Sequence, residues 1–138
     1  MPNLHYISTK NFTIEELQEI ILLHKKIQLS DEVKEKIISC RTYLDKKMEV
    51  EDKPIYGINT GFGSLCNVKI SSDNLSKLQE NLVKSHACGT GEEVPTEIVK
   101  IMLLLKIQSL SYGHSGVQLQ TVERLVDFFN NDILPIIY

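Results

Sequence analysis

The stretch Pro95-Thr96-Glu97-Ile98-Val99-Lys100-Ile101-Met102-Leu103-Leu104-Leu105-Lys106-Ile107-Gln108-Ser109-Leu110-Ser111-Tyr112-Gly113 decides the fold class. Proline suits the first turn of a helix, where its missing N–H costs no hydrogen bond, and glycine suits the end. Between them the residues are apolar almost all round. Such a helix is expected to be buried among other helices or at a subunit interface. The chain is therefore expected to be all-α.

Working outward, the spacing predicts about five helices in an antiparallel-type arrangement. Thr13-Ile14-Glu15-Glu16 has the form of a capping box, and Ile14, Leu17, Ile20, Ile21 and His24 follow at helical spacing. A second helix is expected from Ser30-Asp31-Glu32, with Val33, Ile37, Cys40 or Arg41, and Leu44 facing inward. A third follows Ser71-Ser72-Asp73 and carries Leu75, Leu78, Leu82 and Val83. The Ser115-Gly116-Val117-Gln118 stretch reads as another capping box, with Ser115 as N-cap. It opens a fifth helix that runs to about Asn130 and has Val122, Leu125, Val126 and Phe129 on its core face. Before all of these, Leu4 to Ser8 alternates as a strand or an extended arm would. Lys25-Lys26 and Lys46-Lys47 read as solvated helix ends.

Pro54 stops the second helix, and from Ile55 to Ser71 the chain reads as a long loop containing Tyr56-Gly57-Ile58-Asn59-Thr60-Gly61-Phe62-Gly63. Gly57, Gly61 and Gly63 free the backbone for positive φ and for close approach of another group. Asn59 and Thr60 are expected to hydrogen-bond to nearby main chain and hold the turn. Read from spacing, this is either a connector whose tyrosine packs on a helix or a mobile arm that carries an aromatic hydroxyl into a site. The segment matches neither GxGxxG nor a P-loop, and no lysine follows it.

Composition bounds the function classes. The 138 residues are 42% hydrophobic and 24% charged, with a net charge of −3 and no basic cluster. That argues against nucleic acid or an anionic membrane as partner. The longest apolar run, Ile101 to Leu105, is far short of a membrane span. Cys40, Cys66 and Cys88 form neither an even framework nor a CxxC pair, which favours free thiols in a reducing cytoplasm. His86, Cys88 and His114 match no zinc spacing, and no metal is expected. His114 sits at a helix–helix corner. His86, in Ser85-His86-Ala87-Cys88-Gly89-Thr90-Gly91, lies near a helix end; its imidazole suits acid–base work or recognition of a polar ring.

Three ordered motifs carry a resemblance. Tyr56-Gly57-Ile58-Asn59-Thr60-Gly61-Phe62-Gly63, then Leu78-Gln79-x-Asn81-Leu82-Val83-x-Ser85-His86-Ala87-x-Gly89-x-Gly91, then Gly113-x-Ser115-Gly116-Val117 resemble the histidine and aromatic amino acid ammonia-lyases. The similarity runs from about Pro54 to Tyr138. It implies an electrophile, the methylidene-imidazolone formed from an internal Ala-Ser-Gly, and a tyrosine base, here Tyr56. It further implies that His86, with Ser85, lies in the pocket that selects the substrate side chain. Gly57, Asn59, Thr60, Gly61 and Gly63 become the active-site loop. Ser-His at this place resembles the histidine-directed branch, which would convert L-histidine to urocanate and ammonia.

The resemblance also implies a homotetramer whose sites draw on several subunits. No Ala-Ser-Gly occurs in these 138 residues. The chain is thus expected to be the amino-terminal helical domain of such a lyase, ending just before its electrophile and inactive alone. Two further readings are a lyase-derived binding or assembly protein without catalysis, and a tyrosine or phenylalanine ammonia-lyase or aminomutase.

Overall fold

A computed structural model describes residues 3–50, 53–61, 63, 70 and 74–138. The chain divides into two compact units. One comprises Met1–Lys47 and Glu93–Ile137, and the other Met48–Glu92 together with Tyr138. The sequence carries no composition shift or linker at either crossing point.

In the first unit, β1 (Leu4–Ile7) is followed by α1 (Ile14–Leu22) and β2 (Lys26–Leu29). The strands pair in parallel, with Leu4 opposite Lys26 and Ile7 opposite Leu29. Parallel strands need a crossover, and α1 supplies it. α1 starts as its sequence requires. The Glu16 N–H donates to Thr13 Oγ1 (3.2 Å), and the Thr13 N–H donates to Glu16 Oε2 (2.8 Å). It ends with His24 at φ 47°, where the Lys25 N–H reaches back to Ile20 O (3.0 Å). That left-handed turn redirects the chain into β2.

The fold is mostly helical, as expected, but β2 corrects the reading of Lys25-Lys26 as a helix end. Lys25 pairs with Glu19 (2.6 Å), while Lys26 is already in the strand. Ile27 and Leu29 are buried between exposed Lys26 and Gln28, the alternation of a one-faced strand. The edge of β2 away from β1 is covered by one side chain. The Ile27 N–H donates to Asn130 Oδ1 (2.8 Å), and Asn130 Nδ2 donates to Ile27 O (2.9 Å). The amide thus satisfies both main-chain groups of Ile27 on that edge.

The long helix α2 (Asp31–Val50) buries Val33 and Ile37; it belongs to the first unit through Lys47 and to the second from Met48. We number the later helices α3 (Leu75–His86), α4 (Thr96–Ser111) and α5 (Leu119–Asn130). The core joins Ile7, Ile20, Ile27, Leu29, Val33 and Ile37 to Leu104, Ile107 and Leu110 of α4 and to Val122, Val126 and Phe129 of α5. α4 buries one face, including Gln108, whose Nε2 donates to Ser8 O (2.9 Å) and Lys10 O (3.0 Å). Its other apolar face, with Ile98, Met102 and Leu105, stays about half exposed. Pro95 is the residue before the helix rather than within its first turn.

The α4–α5 corner departs from the expected capping box. α5 begins at Leu119 with Gln118 as N-cap, and no side chain caps it. Ser115 instead accepts a bond from the Val117 N–H (3.4 Å). The reason is Gly116, whose φ of +69° inserts a turn before the helix can start. Gly113 (φ +72°) and Gly116 also let the corner lie against α2. A Cβ on Gly113 would sit 2.9 Å from Lys36 Cβ and 3.0 Å from its carbonyl, and one on Gly116 would sit 2.6 Å from Leu44 Cδ2. Arg41 Nη1 donates to Gly116 O (3.3 Å), while Asp45 holds the same guanidinium (Nε to Oδ2 3.0 Å).

Lys100 bonds Asp132 and lies 5.1 Å from the centre of the Phe129 ring. That ammonium holds the Asp132 carboxyl below its ordinary value.

Two outcomes follow from this geometry. Gly113→Ala should lower unfolding free energy by about 2–3 kcal/mol, because a positive φ and unyielding backbone oppose the new methyl. Gly116→Ala should cost only about 1–2 kcal/mol, since the Leu44 side chain can rotate away. Urea denaturation of both variants checks the order. The second outcome concerns His5, which lies 5.5 Å from the Phe12 ring. Burial lowers its pKa below 6.5, with Glu16 opposing and Lys25 assisting. Its folded value is depressed, so its contribution to stability is fully present above 6.5, the unfolded value. That contribution is lost as pH falls toward and through the lower folded value. The urea midpoint should therefore drop between about pH 7.5 and about pH 5.5, and His5→Gln should flatten that drop.

Candidate active site

Every residue expected to carry chemistry falls in the second unit, Met48–Glu92 with Tyr138. α2 ends at Val50, and Tyr56 to Asn59 form a turn. Its geometry follows from two residues. Gly57 takes φ +73°, which a side chain would oppose. Asn59 closes the turn from inside, accepting from the Ile55 N–H (2.7 Å) and donating to Lys53 O (3.2 Å). The Asn59 and Ile58 N–H groups both return to Ile55 O, and Asn59 O accepts from the Ile70 N–H (2.9 Å).

The expected local role of Asn59 and Thr60 is thus what the structure shows. Both are buried, and Thr60 Oγ1 donates to Gly61 O (3.0 Å). Tyr56, at the head of this closed turn, is 65% exposed. A buried amide fixes the base of the turn, while the tyrosine at its head is exposed. Gly61 is buried, and Gly63 has φ +56° with open space where a Cβ would be. Phe62 and residues 64–69, including Cys66, lie outside the described residues, as do Ser71 to Asp73.

Ser85 and His86 form the last turn of α3, both exposed. Ser85 Oγ donates to Leu82 O (2.9 Å), and His86 Nδ1 lies 2.8 Å from the same carbonyl. The helix stops at His86, and Ala87 is its C-cap. Beyond it Gly91 turns with φ +117°, and a Cβ on Gly89 would be 3.2 Å from Tyr138 O. His114 lies at the α4–α5 corner of the first unit, apart in sequence and in unit from His86. Among the described residues, Cys40 and Cys88 are free thiols, and no three His, Cys, Asp or Glu side chains are grouped to hold a metal. No helix among them is long and apolar enough to cross a membrane.

The motif set and its ordered placement have a counterpart among known proteins. The family described as aromatic amino acid lyase matches residues 12–138. The chain belongs to that family. The match includes α1 and α2, which the quoted motifs did not reach. Among lyase relatives, histidine ammonia-lyase from Deinococcus radiodurans is 43% identical over 131 residues, covering 95% of this chain and 25% of that protein.

Two solved structures are similar as well. Histidine ammonia-lyase from Trypanosoma cruzi has a TM-score of 0.78 at 32% identity, covering 92% of this chain and 24% of that one. The ergothioneine-degrading enzyme ergothionase from Treponema denticola has a TM-score of 0.89 at 26% identity, covering 96% of this chain and 27% of that one. The chain spans about a quarter of the length of the curated relatives it matches. The lyase electrophile expected from the resemblance has no source here, since the 138 residues contain no Ala-Ser-Gly.

The residue order singles out the Tyr56 segment and the Ser85-His86 pair as candidates but not the bonds within that pair. Both depend on which way a terminal-turn side chain folds, for which residue order gives no signal.

The turn makes a direct prediction. Asn59→Ala removes the side-chain acceptor of the Ile55 N–H, so hydrogen exchange at Ile55 should accelerate ~10-fold, the effect of losing a part-buried hydrogen bond. Unchanged protection at Ile55 would show that something other than Asn59 closes the turn.

Proposed function

We propose that these residues are the amino-terminal region of a histidine ammonia-lyase and carry its base, Tyr56, and its side-chain recognition residue, His86. The observation that carries the proposal is the conjunction in one unit of the closed Tyr56 turn and the Ser85-His86 helix end, within a chain of this family. The histidine ammonia-lyase identity of the Deinococcus and Trypanosoma relatives supports L-histidine as substrate and urocanate with ammonia as products.

The chemistry fits the residue types. A β-proton beside an unactivated carbon is weakly acidic, so its removal needs both an electrophile and a positioned base. A tyrosine on an exposed turn, fixed from beneath by Asn59, can approach a substrate from solvent while its backbone stays in register. Gly57, Thr60, Gly61 and Gly63 shape that approach. The electrophile, methylidene-imidazolone, must come from another segment, because the tripeptide it forms from is not in this chain. What the 138 residues contribute is the base, the recognition group and the scaffold beneath them.

Assembly of several chains is part of the proposal, supported by the half-exposed face of Ile98, Met102 and Leu105 on α4. A cytoplasmic setting suits the free thiols of Cys40 and Cys88.

The 138-residue chain alone should form no urocanate from L-histidine, and turnover by the purified chain would overturn the proposal. Extended with the remaining three-quarters of a histidine ammonia-lyase, it should gain that activity. In the extended protein Tyr56→Phe should lower kcat by ~100-fold or more, the usual scale of a general base. A loss smaller than tenfold would remove Tyr56 from that role.

A further inference from the structure

The end of α3 fixes which ring nitrogen of His86 is available. His86 Nδ1 lies 2.8 Å from Leu82 O and 3.1 Å from Ser85 Oγ. A carbonyl oxygen has only lone pairs, so a nitrogen at that distance must present a hydrogen to it. The Ser85 hydroxyl has one hydrogen, and that hydrogen is directed at Leu82 O (2.9 Å). Toward the ring Ser85 therefore offers only a lone pair. Both neighbours require Nδ1–H.

A neutral imidazole carries one N–H, so Nε2 is left as an acceptor. We propose that Ser85 is a positioning residue that, with Leu82 O, locks neutral His86 as the Nδ1–H tautomer, so that Nε2 accepts a hydrogen bond from a donor on the substrate ring. This rests on the reading of His86 as the recognition residue and sharpens its substrate class. A ring with an N–H, such as imidazole, satisfies Nε2, whereas a phenyl ring leaves it without a partner. Ser85 itself then touches His86 and not the substrate, which revises its expected place among the substrate-binding residues. Discrimination against a ring lacking the donor follows, because an unpaired acceptor in a closed site is costly.

The tautomer can be read on the 138-residue chain itself, without turnover, so the outcome is independent of whether the extended protein is a lyase. Long-range proton–nitrogen correlation on the 15N-labelled chain at about pH 8.5, where imidazole is neutral, should show His86 protonated at Nδ1 and unprotonated at Nε2. Ser85→Ala should lower the Nδ1–H to Nε2–H ratio about fivefold, the equilibrium effect of one ordinary hydrogen bond. Ser85→Thr, which keeps the hydroxyl, should restore it. The amide signals of Leu78 to Lys84 report that each variant keeps α3 folded. Predominant Nε2–H in the unaltered chain overturns the proposal. So does a ratio that Ser85→Ala leaves unchanged.

Discussion

The close approach of Gly113 and Gly116 to α2 is the constraint on which the first unit depends. The two glycines meet α2 at Lys36 and at Leu44, two helical turns apart, and at each point a β-carbon would collide. Two separated contacts fix both the position and the direction of a helix, where a single contact would leave it free to pivot. Arg41 stands between them, tied to Gly116 O and held by Asp45. The corner joins α4 to α5, so the same contact sets how the helices that complete the core meet α2. At the far end of α5, Asn130 covers the open edge of β2. Packing and main-chain satisfaction thereby depend on one tight turn.

This gives two different jobs to motifs that look alike on the page. Gly113-x-Ser115-Gly116 is a packing device, needed because Gly113 lies against the Lys36 backbone and Gly116 against the Leu44 side chain. Tyr56-Gly57-Ile58-Asn59 is a presenting device, with a buried amide beneath and an exposed phenol above. The chain passes from one unit to the other along α2, which leaves the first at Lys47. The residues proposed to carry chemistry lie in the unit between the crossings, while the buried apolar cluster lies in the other. That partition is consistent with a scaffold whose stability does not rest on the residues proposed to meet substrate.

Much of this was legible where the deciding interaction is local. Thr13 and Glu16 are three residues apart, and their reciprocal bonds follow from that spacing. The turn at Asn59 closes on Ile55 and Lys53, again within a few residues, and the carboxy-terminal ends of α4 and α5 follow from glycine and from apolar period. The misses are of another kind. Lys26–Leu29 is four residues long, and it is a strand only because Leu4–Ile7 lies beside it and Asn130 covers its other edge. Ser115 has the residue type of an N-cap, but Gly116 turns the chain and Leu119 starts the helix. The tautomer of His86 depends on a hydroxyl rotor and a carbonyl, neither of which is visible in residue order.

The account's central claim is that this chain supplies the side-chain recognition of a histidine-directed ammonia-lyase. The most direct measurement is the substrate preference of the chain extended with the rest of a lyase, taken as kcat/KM for L-histidine, L-tyrosine and L-phenylalanine. The account predicts that L-histidine exceeds L-phenylalanine by ~100-fold or more, the scale on which a polar site rejects a ring that leaves its groups unpaired. Preference for L-phenylalanine or L-tyrosine would contradict it.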